Sequence, residues 1–411
     1  MFAPASELSR LVKEAAAEAG FELAGIAGVG EFPELDYFPT WIAEGRGGDM
    51  AYLQARDEQG RLKRASVRSV APWARSVVVC ALNYNTAQPY STQAQDSDGG
   101  WISRYAWSRR DYHNVVMKKL KQVEAKISCR LSVASQESSG QWPVGSGPKT
   151  SCQLSVASGQ DVAAAYGRMM GGHPARNSEG ATPSGQPPGR RRYEIRTRAY
   201  VDTGPLVERV YAKYAGIGWI GKNTCIINQE LGSWLFLGVI LTSLELAPDL
   251  PAPDRCGTCT RCIEACPTQA LTAPYQLDSN RCIAYLSIEK RGAIPEEMRA
   301  GMGRQVFGCD ICQDVCPWNR KAPASAEPEL QPRPELVNPA LEWLAEMNAS
   351  QLAENFRGSP VRRAKLSGLR RNAVIAMGNS GNAKFAATLK RLSSDPDPVV
   401  AEHARWALEK I

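Results

Sequence analysis

Residues 256–271 read CGTCTRCIEACPTQAL, and residues 307–320 read FGCDICQDVCPWNR. The first stretch contains the spacing C-x2-C-x2-C-x3-C-P of a bacterial ferredoxin, and the second repeats its last three cysteines and the proline. A further cysteine, Cys282, lies between them and brings the total to eight. The spacing predicts two [4Fe–4S] clusters, because iron prefers thiolate ligands and each cluster takes four of them.

The ligands are expected to cross between the two stretches, because the fourth cysteine of such a run binds the other cluster. The first cluster would take Cys256, Cys259, Cys262 and Cys316, and the second would take Cys266, Cys282, Cys309 and Cys312. Zinc ribbons also contain C-x2-C pairs, but zinc accounts neither for the complete run nor for eight ligands. Cys80 and Cys225 lie in strand-like patterns and are interpreted as small buried residues.

The composition is that of an ordinary globular chain of 411 residues with a net charge of +7. That charge is too small to indicate nucleic-acid binding by itself. The first twenty residues have the pattern of an amphipathic helix, not of a signal peptide, and the longest apolar stretch (234–247) is too short to cross a bilayer. We therefore expect a cytoplasmic protein without a membrane anchor, in which clustered cysteines indicate metal rather than disulfides.

The remaining sequence divides into patterned and unpatterned regions. Residues 74–85 predict a buried strand, and residues 111–127 have the apolar period of a helix. Residues 128–192 are rich in Ser, Gly, Gln and Pro, contain a short internal copy, and predict a disordered insertion. Residues 216–243 form a glycine-rich loop followed by two apolar runs that should pair as a hairpin. The tail, 337–411, predicts short helices of the kind that build HEAT repeats.

Six segments together resemble the epoxyqueuosine reductase family. They are the two cysteine stretches, SRYAWSRRDYH (103–113), RAYVDTGPLVERVYAKYAGIGWIGKN (198–223), GSWLFLG (232–238) and RCIAYLSIE (281–289). The resemblance covers nearly all of residues 1–127 and 193–411. It departs at 128–192, where the family has a short connection.

The resemblance implies an α+β architecture in three parts. These are a nitroreductase-like cobalamin-binding domain (1–247), a ferredoxin-like two-cluster module (248–322) and a small HEAT-like helical domain (337–411). It also implies reduction of the epoxide of epoxyqueuosine in tRNA to queuosine, with electrons passing through the clusters to cobalamin. The implied partners are a tRNA bearing epoxyqueuosine at the wobble position and an external donor of the flavodoxin or ferredoxin type, and we expect a monomer.

Asp202 is the predicted proton donor. Removal of an epoxide oxygen requires a proton, and this carboxyl could donate it if burial near a corrin raised its pKa. The family's proton-donor aspartate falls on the same position, although a carboxylate before Pro205 could simply cap a turn. The resemblance places corrin contacts at Arg64, Tyr105, Asp202, Lys222, Asn223, Ile226, Leu237 and Asp310. The chain has only three histidines and no cobalt-ligand motif, so we expect no protein histidine on cobalt.

Residues 357–371 carry six positive charges and no acidic residue at the start of the helical tail. Such a run is often only a solvated face, but a helical repeat can follow a phosphate backbone. The predicted tRNA contacts are Arg362, Arg363, Arg370 and Arg371. Two rival functions are a reductive dehalogenase, which usually has an export signal, and a plain ferredoxin-like electron carrier, which leaves the N-terminal half without a purpose.

Overall fold

The computed structural model describes residues 4–93, 98–137 and 195–411. Its helices are α1 (Ala5–Glu18), α2 (Pro33–Ala43), α3 (Tyr112–Glu137), α4 (Glu208–Tyr214), α5 (Arg261–Glu264), α6 (Ile283–Ile288), α7 (Glu296–Arg299), α8 (Ile311–Asp314), α9 (Leu341–Ala345), α10 (Ala349–Asn355), α11 (Lys365–Ser380), α12 (Ala386–Leu392) and α13 (Pro398–Leu408). Its strands are β1 (Leu23–Gly28), β2 (Ser76–Asn83), β3 (Trp101–Ile102), β4 (Thr197–Tyr200), β5 (Trp219–Ile220), β6 (Ile226–Ile227), β7 (Leu235–Thr242), β8 (Leu271–Ala273), β9 (Gln276–Leu277) and β10 (Gln305–Phe307). Within these ranges, no helix is both long enough and apolar enough to span a bilayer.

The main sheet has four antiparallel strands in the order β1-β2-β7-β4. All eight residues of β2 are buried, which explains why residues 74–85 carry so many consecutive valines and confirms the predicted strand. A strand lacks polar alternation when both of its faces are covered. The sequence of β2 therefore already indicated a layer of protein on each side of the sheet.

Two glycines mark where helices approach the two faces. A Cβ on Gly25 would lie 1.9 Å from the Ala215 carbonyl oxygen at the end of α4. A Cβ on Gly238 would lie 2.8 Å from the Val116 side chain of α3. Gly25 aligns with Val79, whereas Gly238 aligns with the adjacent Cys80, so the two glycines lie on opposite faces. Helices α3 and α4 thus enclose the sheet between them.

Two expectations require correction here. Helix α3 runs to Glu137, so the first ten residues of the predicted disordered insertion are helical. None of these ten residues is glycine or proline, so the sequence contains no helix-breaking residue at 127. Residues 138–194 lie outside the described residues. The expected hairpin forms only at its turn, where Asn228 and Gly232 exchange two backbone hydrogen bonds; β6 pairs with β5, and β7 enters the main sheet between β2 and β4.

The cysteine-containing region and the helical tail share one apolar core with part of the N-terminal region. Trp101, Phe307, Leu344 and Ile375 are all fully buried in this cluster. A parallel pairing of β3 with β10 connects the same regions. Residues 1–127 and 196–411 form one compact unit, so the boundaries suggested by the sequence do not separate independent cores.

Candidate active site and cluster module

Backbone amides surround several of the eight cysteine thiols. The Ala270 N–H donates to Cys266 Sγ at 3.3 Å. Backbone hydrogen bonds at Ala284 and Tyr285 act on the Cys282 thiol, although burial is the larger effect and raises its pKa. Hydrogen bonds to sulfur stabilise ligating thiolates and tune the potential of an iron–sulfur cluster. These loops are therefore suited to hold thiolates as ligands.

The eight thiols fall into two neighbouring groups. Cys316 is buried and packs with Cys256 and Trp219. Burial, and then the proximity of Cys256 and Cys262, raises the pKa of Cys316 to about 11. Burial also raises the pKa of Cys262, with further contributions from Cys256 and Cys259. Cys316 thus lies among the cysteines of the first run, as the crossed ligand set requires.

The second group contains the remaining four cysteines. Burial raises the pKa of Cys309 well above its ordinary value, and Cys282 and Cys266 raise it further. Cys312 interacts with Cys309 and Cys282. Among the described residues, no three side chains of His, Cys, Asp or Glu converge closely enough to bind a single ion. A cubane of four irons spreads its ligands more widely than one ion does, so two groups of four thiols do not need such a convergence.

Cys225 has a role that its strand-like pattern did not reveal. Its thiol lies beside that of Cys312, and this neighbour lowers the pKa of Cys225. Asn223 holds the same region together, since its Nδ2 donates to the Cys312 carbonyl at 3.3 Å and its Oδ1 accepts from Cys225 N. Lys222 Nζ donates to the carbonyls of Gly257 and Cys259, at 2.6 and 3.0 Å. The GKN turn therefore contacts both cysteine groups.

The Asp310 carboxylate is not available to a corrin, contrary to the prediction. Asp310 is 1% exposed and accepts hydrogen bonds from Trp101 Nε1, Ser103 Oγ and Arg104 N. These donors satisfy both oxygens, so the side chain links the second cysteine stretch to β3. Two other predicted contacts, Ile226 and Leu237, pack in or against the apolar core around the sheet.

Asp202 lies on the loop after β4 with a backbone φ of +56°, a conformation that non-glycine residues seldom adopt. Its side chain is closely surrounded by protein atoms, yet 54% of its surface is accessible, as expected for a group lining a cleft. Burial would raise its pKa, but His113, the hydrogen bond from Tyr112 and the charge of Arg363 outweigh burial and hold the pKa well below its ordinary value. The protein side chains around Asp202 therefore do not supply the raised pKa on which direct donation would depend, and the sequence pattern did not reveal these cations.

His113 stands between two carboxylates. Its Nδ1 lies 2.6 Å from Asp111 Oδ1, and its Nε2 lies 3.7 Å from Asp202 Oδ2. Burial alone would lower the pKa of His113, but the two carboxylates raise it to about 9. The imidazole is therefore a cation at neutral pH. The sequence did not indicate this position, because His113 and Asp202 lie far apart along the chain.

Further polar side chains surround the same cleft. Burial, and then Asp202, raises the pKa of Tyr105 well above its ordinary value. Burial, and then Asp202, also raises the pKa of Glu208 to about 7. Arg64 donates from Nη1 to the Leu206 carbonyl at 2.8 Å, and its guanidinium lies over the Tyr52 ring. Arg64 Nε and Glu208 Oε1 are buried without a protein partner.

Only two of the four arginines predicted to bind tRNA are exposed. Arg362 and Arg363 are exposed, and Arg363 Nε pairs with Glu289 at 2.5 Å. Arg371 is 1% exposed and its guanidinium donates to three carbonyl oxygens, and Arg370 is paired with Asp395 and with the Ala345 carbonyl. The prediction is wrong for Arg371 and not supported for Arg370, because both guanidinium groups already bind protein acceptors.

Two family models match this sequence. One is described as "4Fe-4S double cluster binding domain" and matches residues 255–319. The other is described as "Epoxyqueuosine reductase QueG, DUF1730" and matches residues 64–140. The first match confirms the iron–sulfur interpretation of the cysteine stretches in preference to zinc.

The chain is similar to curated and structurally characterised proteins over most of its length. The epoxyqueuosine reductase of Xanthomonas campestris pv. campestris is 33% identical over 402 residues, which cover 97% of this chain and 94% of that protein. That of Synechocystis sp. is 38% identical over 336 residues, 81% of this chain and 92% of the relative. A crystal structure of epoxyqueuosine reductase with a tRNA-Tyr epoxyqueuosine-modified stem loop aligns with a TM-score of 0.74 and 28% identity, covering 99% of this chain and 91% of that one. The similarity is therefore not confined to the cysteine stretches.

Proposed function

Because the chain belongs to the epoxyqueuosine reductase family, we propose that it reduces the epoxide of epoxyqueuosine in tRNA to the alkene of queuosine. The near-full-length similarity to relatives of that name carries this proposal. It identifies the chain as an oxidoreductase and excludes a plain electron carrier, for which the similarity outside the cysteine stretches would have no purpose.

We propose the crossed ligand sets for the two clusters. The grouping of Cys316 with Cys256 and Cys262, and of Cys266 with Cys282 and Cys309, supports them. The position of the Cys225 thiol beside Cys312 favours an accessory role for Cys225, in contact with a ligand of the second cluster. Electrons would enter from an external flavodoxin- or ferredoxin-type donor, as the family resemblance implies.

Cobalamin is the proposed cofactor of the cleft that Asp202 lines. The residues fit such a group, because the buried Arg64 Nε and Glu208 Oε1 have no protein partner and a corrin carries polar amide side chains that could pair with them. Arg64 and Tyr105 are partly exposed and remain compatible with such a contact, whereas the Asn223 side chain is buried and already bonded to Cys225 and Cys312. When bound, the cobalt centre would supply the reducing electrons to the substrate.

Asp202 is the proposed proton donor to the departing oxygen. Loss of the epoxide oxygen as water consumes two electrons and two protons, and breaks two C–O bonds while one C=C bond forms. The accessible half of the Asp202 side chain supports contact with a substrate, and its strained backbone supports a functional role rather than a turn-capping one.

Arg362 and Arg363 are the proposed contacts to tRNA phosphates. Arg363 is close enough to lower the pKa of Asp202, which supports RNA binding at the mouth of the same cleft. The antiparallel sheet enclosed by α3 and α4 supports the nitroreductase-like description. The packing of α11 against α13, where a Cβ on Gly378 would lie 2.8 Å from Ala407, supports the HEAT-like one. A monomeric, cytoplasmic protein remains our expectation.

Turnover of epoxyqueuosine-containing tRNA, measured by nucleoside mass spectrometry, tests the proposal. The wild type should convert epoxyqueuosine to queuosine, and Asp202→Ala should lower the rate by about 10²- to 10⁴-fold while keeping its iron content. Thr203→Ala, an exposed neighbour on the same loop, is the matched control. A fully loaded wild type without turnover would contradict the proposed function, and an active Asp202→Ala would contradict only the role of Asp202.

A further inference from the structure

The proposed reaction needs more protons than one carboxyl group can hold. Its two protons both go to the same oxygen, which leaves as water. Asp202 carries at most one proton, and its cationic surroundings keep it ionised at neutral pH. A proton source beside Asp202 is therefore required for each turnover.

The structure provides one such group in direct line with Asp202. The His113 imidazole lies between two carboxylates. Its Nδ1 is 2.6 Å from Asp111 Oδ1, and its Nε2 is 3.7 Å from Asp202 Oδ2. The Nε2 atom of His113 is buried, has no hydrogen-bond partner, and faces Asp202 Oδ2. The gap exceeds the typical N–H···O distance by about 0.8 Å, which a small movement of the Asp202 loop would close.

The imidazole of His113 is fixed by a helix and by ring stacking. His113 is the second residue of α3, and its backbone N–H donates to Asp111 Oδ1 at 3.0 Å. Its ring stacks on Tyr112 at 4.1 Å, and Tyr112 stacks on Phe236 of the sheet at 4.2 Å. Asp202 lies on a loop in a strained conformation. Helix α3 and the aromatic stack therefore fix His113, and the hydrogen bond from Tyr112 holds Asp202 beside it.

We propose that His113 supplies the protons that Asp202 donates, a role that rests on the proposed function. The Nε2 proton of His113 moves to the ionised Asp202, Asp202 passes it to the substrate oxygen, and the imidazole becomes neutral with Asp111 still bound at Nδ1. Because Nε2 itself is buried, it regains a proton from water by way of Asp202, half of whose side chain is accessible. The relay runs twice per epoxide, so two protons enter from solvent and one water leaves. His113 is a positioning residue that acts through Asp202.

The charges around the pair favour this assignment. Asp111 and Asp202 flank the imidazole and raise the pKa of His113 to about 9, against the effect of burial. Tyr112 donates to Asp202 at 2.9 Å, and Arg363 faces Asp202 from the helical tail. Glu208 and Arg64 are the remaining charged groups at the cleft. At neutral pH the mobile proton therefore resides on His113, ready for transfer.

A pH–rate profile separates this role from a merely structural one. The wild type should be active below about pH 9 and lose activity above it, as His113 loses its proton. His113→Gln should be slowed about 100-fold at pH 7.5, and its rate should recover as the pH is lowered and Asp202 takes protons directly from water. Asp111→Asn should lower the pKa of His113, so the loss of activity at high pH should begin at a lower pH than in the wild type. Asn114→Ala, exposed on the same helix, should match the wild type.

Histidine NMR provides a readout that needs no substrate. In the cluster-containing protein, one of the three histidines should titrate near pH 9, disappear in His113→Gln, and titrate at lower pH in Asp202→Asn. A His113 signal with an ordinary pKa would overturn the proposal. So would His113→Gln with an unchanged rate and pH profile in a protein that converts epoxyqueuosine. Failure of the wild type to convert epoxyqueuosine would instead count against the proposed function, with the NMR titration still deciding on the pair.

Discussion

Replacing Arg371 by methionine should destabilise the protein without weakening its affinity for tRNA. The guanidinium donates to the carbonyl oxygens of Leu286, Lys290 and Gly292 at 2.7 to 3.0 Å. Leu286 belongs to α6, and the other two follow its end, so Arg371 satisfies carbonyls that the helix itself leaves without donors. Methionine fills similar space but donates nothing.

The expected loss follows from those three carbonyls. Each buried acceptor left without a donor costs about 1–3 kcal/mol, and partial relaxation reduces the sum, so we expect a loss of about 3–5 kcal/mol. That is a large part of a typical folding free energy. The exposed Arg362 provides the matched control, since Arg362→Met should change stability by less than about 0.5 kcal/mol.

Anaerobic urea unfolding and tRNA-binding titrations on the same samples distinguish the two roles. Folded Arg371→Met should bind tRNA as tightly as the wild type. The double variant Arg362→Met/Arg363→Met should bind more weakly, with the slope of log affinity against log salt reduced by about 1.5. A stable Arg371→Met that loses tRNA affinity would refute the reasoning and restore the interpretation of the whole run as an RNA-binding face.

Two further predictions concern the clusters and the helical tail. Cys266 and Cys309 belong to the same proposed cluster, so Cys266→Ser/Cys309→Ser should retain about four iron atoms per chain. Cys262 and Cys266 lie in the same run but belong to different proposed clusters, so Cys262→Ser/Cys266→Ser should retain no iron. Equal iron contents in the two double variants would contradict the crossed ligand sets. His403 is fully buried, accepts from Ile294 N at 3.1 Å, and has a pKa lowered to about 4, chiefly by burial. Its unfolded state binds the proton first, so stability should be lost by up to about 3 kcal/mol as the pH falls from 6.5 to 4, and His403→Gln should flatten that dependence in urea unfolding.

The sequence predicted those features that depend on local spacing. Cysteine runs encode their cluster within a few residues, and the valine-rich β2 shows its burial directly. The pairing of β7 was not predictable in this way, because its partners β2 and β4 are determined by closure of the whole sheet. The run at 357–371 likewise looked uniform, since nothing local distinguishes the exposed Arg362 from the buried Arg371.

The direction of the shift in the pKa of Asp202 could not be predicted from the sequence for the same reason. Burial of Asp202 could be anticipated, but its cations come from α3 and from the helical tail. These are distant in sequence, and their effect reverses the sign of the shift in the pKa of Asp202. The motif therefore drew attention to Asp202, but it could not show which cations hold the pKa of Asp202 low.

This reversed sign has a chemical advantage for a reaction driven by single electrons. A lone carboxylic acid whose pKa was raised to near neutrality would be only partly protonated, and it would be exhausted by the first proton transfer. In the Asp202–His113 pair, the imidazole stores the proton as a cation stabilised by Asp111, while the ionised Asp202 carries protons across a short gap. His113 can be protonated again from water between the two single-electron transfers. An acid that must deliver two protons to one oxygen is better served by a charged reservoir than by a single neutral carboxyl group.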